Sequence, residues 1–127
     1  NRDCTVPFLR NSDIASSIKL LKKNKCNAVY GVYLQHFNPY FNMIEIDSND
    51  YVKFSKKIKI KPTRRQDAPK VYQLNGLFVY DTKQFMKYKN QYPPKGMMFE
   101  IPSETGLMID TELEFRTAEI MIKDKLF

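Results

Sequence analysis

Arg64 and Arg65 stand side by side at the head of the run RRQDAPKVYQLNG, residues 64–76. Guanidinium groups grip a carboxylate or a phosphate through paired N–H donors, so this pair can recognise an acidic ligand. Gln73 and Asn75 follow on a β-branched and aromatic run, Val71 to Tyr80, that reads as a strand. Alternation puts them on one face with Val71, Leu77 and Val79. Amides among aliphatic neighbours are either satisfied internally or wait for a polar ligand. Gly76 permits close approach of a ligand or another backbone. The run is a basic surface hairpin or one wall of a pocket for an acidic small molecule.

A second constellation is IDTELEF, residues 109–115. Thr111 and Glu114 have the spacing of a helix capping box, and Asp110 just before them complements the helix dipole. An aspartate at the end of a strand and the start of a helix is also a common Mg²⁺ ligand beside nucleotide phosphates. Both accounts stay open for Asp110. His36, the single histidine, forms no metal cluster or catalytic triad and reads as a hydrogen-bonded structural residue. Cys4 and Cys26 lack C-x-x-C spacing, which argues against zinc and dithiol chemistry.

These residues need elements to hold them. Ser12 or Asp13 can cap a helix in which Ile14, Ile18 and Leu21 share a face and KKNKCN ends the run. Pro7 argues against a regular element before it. AVYGVYL, residues 28–34, is a buried strand, broken at Asn38-Pro39. Phe41 to Ile46 and Tyr51 to Ser55 read as two strands joined by the turn DSND. KIKIK, residues 57–61, alternates with period two and suits an edge strand. After Val71 to Tyr80, Asp81 and Gln84 open a short helix through about Tyr88. MMFEIP is a further strand, and a helix from about Thr111 carries Leu113, Ile120 and Met121 on one face. The alternation predicts an α/β fold with a protruding hairpin.

The 127 residues are of single-domain length. No apolar run approaches the eighteen or so residues of a membrane span, and no secretory pattern opens the chain. Two cysteines are too few for a disulfide framework and read as reduced thiols, so a cytoplasmic location is expected. The net charge of +7 favours anionic partners, although lysine supplies 16 of the 21 cations, a bias that an AT-rich genome also produces. The segment Lys53 to Arg65 holds seven cations and no acid. Its aromatics are sparse and no RNP-like or zinc-finger pattern occurs, which argues against nucleic acid. G-x-G-x-x-G and P-loop patterns are absent too.

RRQDAPKVYQLNGLFVYD together with IDTELEF resembles the acylneuraminate (CMP-sialic acid) cytidylyltransferase family, whose members also activate legionaminic and related nonulosonic acids. TVPFLRNSDIASSIKLL is similar to that family's T-S-P-L-R segment and helix, and GVYLQHFNPYFNMIE to its strand and Asn-Pro turn. The resemblance implies the C-terminal part of a Rossmann-like nucleotidyltransferase fold with a β-hairpin dimerisation arm at about residues 35–70. It implies a homodimer that joins CMP from CTP to a nine-carbon sugar acid with Mg²⁺, releasing pyrophosphate. By resemblance Arg65 is the arginine of R-Q-x-x-P that reaches toward sugar, with Arg64 beside it. Arg10 belongs to the T-S-P-L-R segment, Gln73 and Asn75 lie on the sugar-facing strand, and Asp110 is the catalytic, metal-binding aspartate of D-I-D.

Departures from the pattern accompany the resemblance. Met108 replaces the first aspartate of D-I-D, Gln73 stands where arginine is frequent, and Val79 where tyrosine is frequent. The family's R-x-G-S-K-x-x-x-x-K-N signature for the nucleotide is absent from these residues. The expectation is a chain that exposes apolar surface, does not turn over CTP alone and works with a separate N-terminal half. The alternatives are a noncatalytic binding or interaction module derived from the family, or a Kdo-type cytidylyltransferase.

Overall fold

A computed structural model describes residues 1–60 and 62–126. The chain divides into two compact units, Asn1–Tyr33 with Leu74–Phe127, and Leu34–Gln73. The first unit is α/β. Its helix α1 spans Asn11–Asn24 and starts two or three residues earlier than a cap at Ser12 or Asp13 implies. Asp13 causes this by reaching back from the third helical position, where its carboxylate accepts the Arg10 backbone N–H at 3.3 Å. The helix buries Asp13, Ser17 and Leu21, one turn apart, while Ile18 turns partly to solvent.

Strand β1, Ala28–Gln35, is the middle strand of a three-stranded mixed sheet, between β4 (Val71–Tyr80) and β5 (Gly96–Glu100). β1 and β5 are parallel, with Ala28 opposite Gly96 and Val32 opposite Glu100. A central strand is covered on both faces, which accounts for the nearly unbroken apolar run of β1. Residues 1–3 run along β4, where Asp3 N donates to Gly76 O at 2.9 Å and Phe78 N to Asn1 O at 3.0 Å. The core under the sheet combines Val6, Leu9, Leu77 and Ile101 with a second group, Leu21, Cys26 and Val29; Val79 and Phe99 touch both. Cys26 is buried, Cys4 is exposed, and both are free thiols.

Helix α2, Thr82–Tyr88, opens as its spacing implies, the Asp81 carboxylate accepting from Gln84 N at 2.9 Å. Helix α3, Glu112–Asp124, opens on the Thr111–Glu114 capping box. Its packed side is that of Ala118; Leu113 and Ile120, expected to face inward, are 76% and 55% exposed. All three helices end on a lysine in the left-handed region, Lys25, Lys89 and Lys125, with φ of 49°, 47° and 52°.

The second unit contains a small antiparallel pair, β2 (Ile44–Ile46) and β3 (Val52–Phe54), with Glu45 opposite Lys53. Asp47 builds the turn between them, accepting from Asn49 N at 2.8 Å and Tyr51 N at 3.1 Å. Both strands are shorter than expected. The carbonyl of Asn38 takes the N–H groups of Phe41, Asn42 and Met43, so the chain is still curled where the first strand was expected to begin. Residues 57–60 form no strand, and Ile60 is 85% exposed; Lys61, the end of that alternating run, lies outside the described residues. A ladder needs a neighbouring edge, and after Ser55 the chain turns back so that Lys56 N bonds Pro39 O at 2.9 Å. A 3₁₀ turn spans Arg65–Asp67.

Candidate functional site

The candidate residues fall in both units. Arg64, Arg65 and Gln73 belong to Leu34–Gln73; Arg10, Asn75 and Asp110 belong to the other. In the second unit the paired arginines have different fates. The 3₁₀ turn brings Asp67 back onto Arg64, whose Nε and Nη2 donate to the carboxylate at 2.9 and 3.2 Å. Arg65 has no ion pair among the described residues. It lines a groove of about 290 Å³ with Leu34, Gln35, His36, Asn38 and Lys70 among its neighbours. Arg65 is therefore the guanidinium available to an anion, and Lys70 adds charge.

Asn38 builds one side of this groove. It is almost fully buried, and its side chain donates to Pro69 O at 2.8 Å while accepting from Tyr40 N at 2.9 Å. The Asn-Pro turn is thereby tied to the segment that follows the arginines. His36 departs from expectation: its ring is exposed against Phe37, centroids 4.6 Å apart. The hydrogen bond at this position is to its backbone carbonyl, from Asn42 Nδ2 at 3.1 Å. Gln73 is exposed, and its Oε1 accepts from Gln35 Nε2 at 2.6 Å. Gln35 was not singled out by the sequence. Its only signal there is a polar residue closing an apolar strand.

In the first unit Asn75 is fully buried. Its Oδ1 accepts from Leu77 N at 3.3 Å, while Nδ2 has no partner among the described residues. Room for this carboxamide comes from Gly31 on β1, since a Cβ there would lie 2.4 Å from Asn75 Oδ1 and 2.7 Å from Leu77 Cβ. Gly76 adopts φ +79°, and a Cβ there would meet Asp3 at 2.4 Å. The Asn75 carboxamide is thus satisfied through its oxygen alone among the described residues.

Arg10 is held by Asp13, donating to it through Nε and Nη2 at 3.0 Å each. That hydrogen bond, and then the carboxylate charge, raise the Arg10 pKa above its ordinary value. Asp110 is exposed and stands on no strand. Ile109 N donates to Thr5 O at 2.9 Å, which fixes Asp110 beside the TVPFLR segment. Asp3, another residue the sequence did not flag, accepts from Thr5 N and Oγ1 at 3.1 and 3.0 Å. Those bonds, the backbone one first, hold its carboxyl below the usual range. Glu114 accepts from Asp110 N, Thr111 N and Thr111 Oγ1, all within 2.9 Å, so its carboxylate is committed to the cap.

The donors around Asp110 do not make a self-contained metal centre. Met108 offers a soft sulfur where a second carboxylate is expected, and Mg²⁺ takes oxygen. Among the described residues no group of three or more His, Cys, Asp or Glu is placed to hold a metal ion. No helix among them is long and apolar enough to cross a membrane.

No family model matches the chain. Over 89 residues, 69% of the chain, it is 34% identical to CMP-N,N'-diacetyllegionaminic acid synthase of Campylobacter jejuni, covering 37% of that protein. Over 124 residues, 97% of the chain, it is 27% identical to post-translational flagellin modification protein B of Campylobacter coli, covering 52% of that protein. The chain thus spans about half the length, or less, of the curated relatives it matches. Both similarities support a cytidylyltransferase-like family.

Proposed function

We propose that the chain is part of a cytoplasmic nucleotidyltransferase that joins CMP from CTP to a nonulosonic acid of the sialic or legionaminic type. The observation that carries this reading is the 34% identity to the legionaminic acid synthase. The unpaired Arg65 in its groove supports it, since a sugar acid presents a carboxylate to such a group. In the reaction the anomeric hydroxyl of the sugar attacks the α-phosphate. An oxygen–phosphorus bond forms, pyrophosphate departs and the hydroxyl proton is lost.

Arg65 and Lys70 bind and orient the acid, with Arg64 kept by Asp67 as a supporting charge. Gln73 and Asn75 offer amide groups to the sugar. Arg10, pinned by Asp13, contributes positive charge at the start of α1. Asp110 would offer one oxygen ligand to a Mg²⁺ ion, which when bound would offset phosphate charge. Residues 35–70 mediate a homodimer.

Met108 favours a second reading, a noncatalytic sugar-acid binding module, because it removes one of two carboxylates from the metal position. One experiment separates the two. The chain is combined with the purified N-terminal portion of the C. jejuni relative, CTP, Mg²⁺ and a panel of nine-carbon sugar acids, and products are read by mass spectrometry. Formation of a CMP-sugar is expected. Stable association of the two parts without product would leave the binding module as the function.

A further inference from the structure

His36 gives neither ring nitrogen to a hydrogen bond among the described residues; its ring has a tilted contact with Phe37, centroids 4.6 Å apart. A histidine kept for structure usually spends at least one nitrogen on a partner. The backbone beneath this ring is nevertheless fixed. Asn42 Nδ2 donates to the His36 carbonyl at 3.1 Å, and Asn42 Oδ1 accepts from Asn38 N at 2.6 Å. One carboxamide therefore ties both ends of the turn that carries the ring. The exposed His36 lines the groove of about 290 Å³ that also holds Arg65 and Lys70.

The groove is walled by the end of β1, the Asn-Pro turn, the 3₁₀ turn and the segment after it. The charged side chains that these elements turn to it are Arg65 and Lys70, and no carboxylate lines it among the described residues. Asp67, the acid nearest to Arg65 in sequence, is held by Arg64 at 2.9 Å. An anion in this groove thus meets two cations, and a third group that becomes one when it takes a proton.

We propose that His36 is a protonation-dependent anion contact, so that an acidic ligand binds tighter as pH falls and takes up a proton on binding. The proposal rests on the reading of the chain as a sugar-acid binder. Imidazole is the side chain whose charge changes between about pH 5 and 8; arginine and lysine are not of that kind. Neutral, the ring offers one N–H donor; charged, it offers two and a positive charge. A bound carboxylate favours the charged ring, and by linkage the charged ring favours the carboxylate by the same factor.

The test titrates the full 127-residue chain with N-acetylneuraminic acid by calorimetry at pH 8 and pH 5.5, in buffers of high and low ionisation enthalpy. The carboxylate of this probe stays ionised at both values. Wild type is expected to bind about five- to tenfold tighter at the lower pH, with net proton uptake on binding. His36→Gln keeps a polar side chain without the charge, so the ratio of affinities should fall to about one. His36→Lys carries the charge at both values and should hold the tighter affinity at each. Equal affinity at both pH values in wild type would overturn the proposal and leave the sugar-acid reading intact. A pH response that persists in His36→Gln would overturn it as well. No binding at either pH would sink that reading and the proposal with it.

Discussion

Gly31 and Asn75 occupy one volume between them. A methyl group at position 31 would lie 2.4 Å from Asn75 Oδ1, 2.7 Å from Leu77 Cβ and 3.0 Å from Ile101 Cδ1. Two of these neighbours are core residues with nowhere to move. Gly31→Ala is therefore expected to destabilise by about 1–3 kcal/mol in urea denaturation, the usual cost of overpacking. The adjacent arginines make a paired prediction. Arg65→Ala should weaken sugar-acid binding by roughly ten- to hundredfold, the worth of a charged hydrogen bond. Arg64→Ala, whose donors are already given to Asp67, should change it by less than about threefold. Calorimetric titration of both variants checks the assignment, and equal losses would refute it.

At the scale of elements, the α3 start is the most explicit electrostatic device. The Asp110 N–H, then the Thr111 hydroxyl, lower the Glu114 pKa below its ordinary 4.5. A carboxylate depressed in the folded state contributes fully above its unfolded pKa and loses that contribution as pH falls through the folded value. The first turn of α3 is thus expected to hold above about pH 4.5 and to fray below it. Amide exchange at Asp110 and Thr111 across that window is the measurement, and Glu114→Gln should flatten the response.

This cap was legible in the sequence because its partners are three residues apart, as were those of Asp81 and Gln84. The alternating lysines and isoleucines at 57–60 misled for the opposite reason. Alternation says which residues would share a face, but a strand also needs an edge to bond, and that depends on the distant Pro39 carbonyl. On α3 the apolar periodicity was real, yet it does not say which side finds cover; Ala118 did, Leu113 did not. Gln35 and Gln73 are 38 residues apart, and no local pattern connects them.

For the whole molecule, the α/β class stands, and the sheet is mixed because the parallel β1–β5 pair is joined on its other side by β4. The chain divides into two compact units, Leu34–Gln73 and the two segments that flank it. The relatives extend well beyond the stretch matched here, so partners for surfaces such as the exposed side of α3 are a matter for the longer proteins.

The left-handed lysines at the ends of all three helices have a further meaning for engineering. An L-residue in this region carries about 1–2 kcal/mol of steric strain that glycine lacks, partly offset by the greater freedom of glycine in the unfolded chain. Lys25→Gly, Lys89→Gly and Lys125→Gly should each recover about 0.5–1 kcal/mol, each measurable as a rise in Tm of a few degrees. The three positions end different helices, so their gains should add. The chain thereby holds three separate reserves of thermal resistance outside the core. They offer a stabilised background in which the more costly variants can still fold and be assayed.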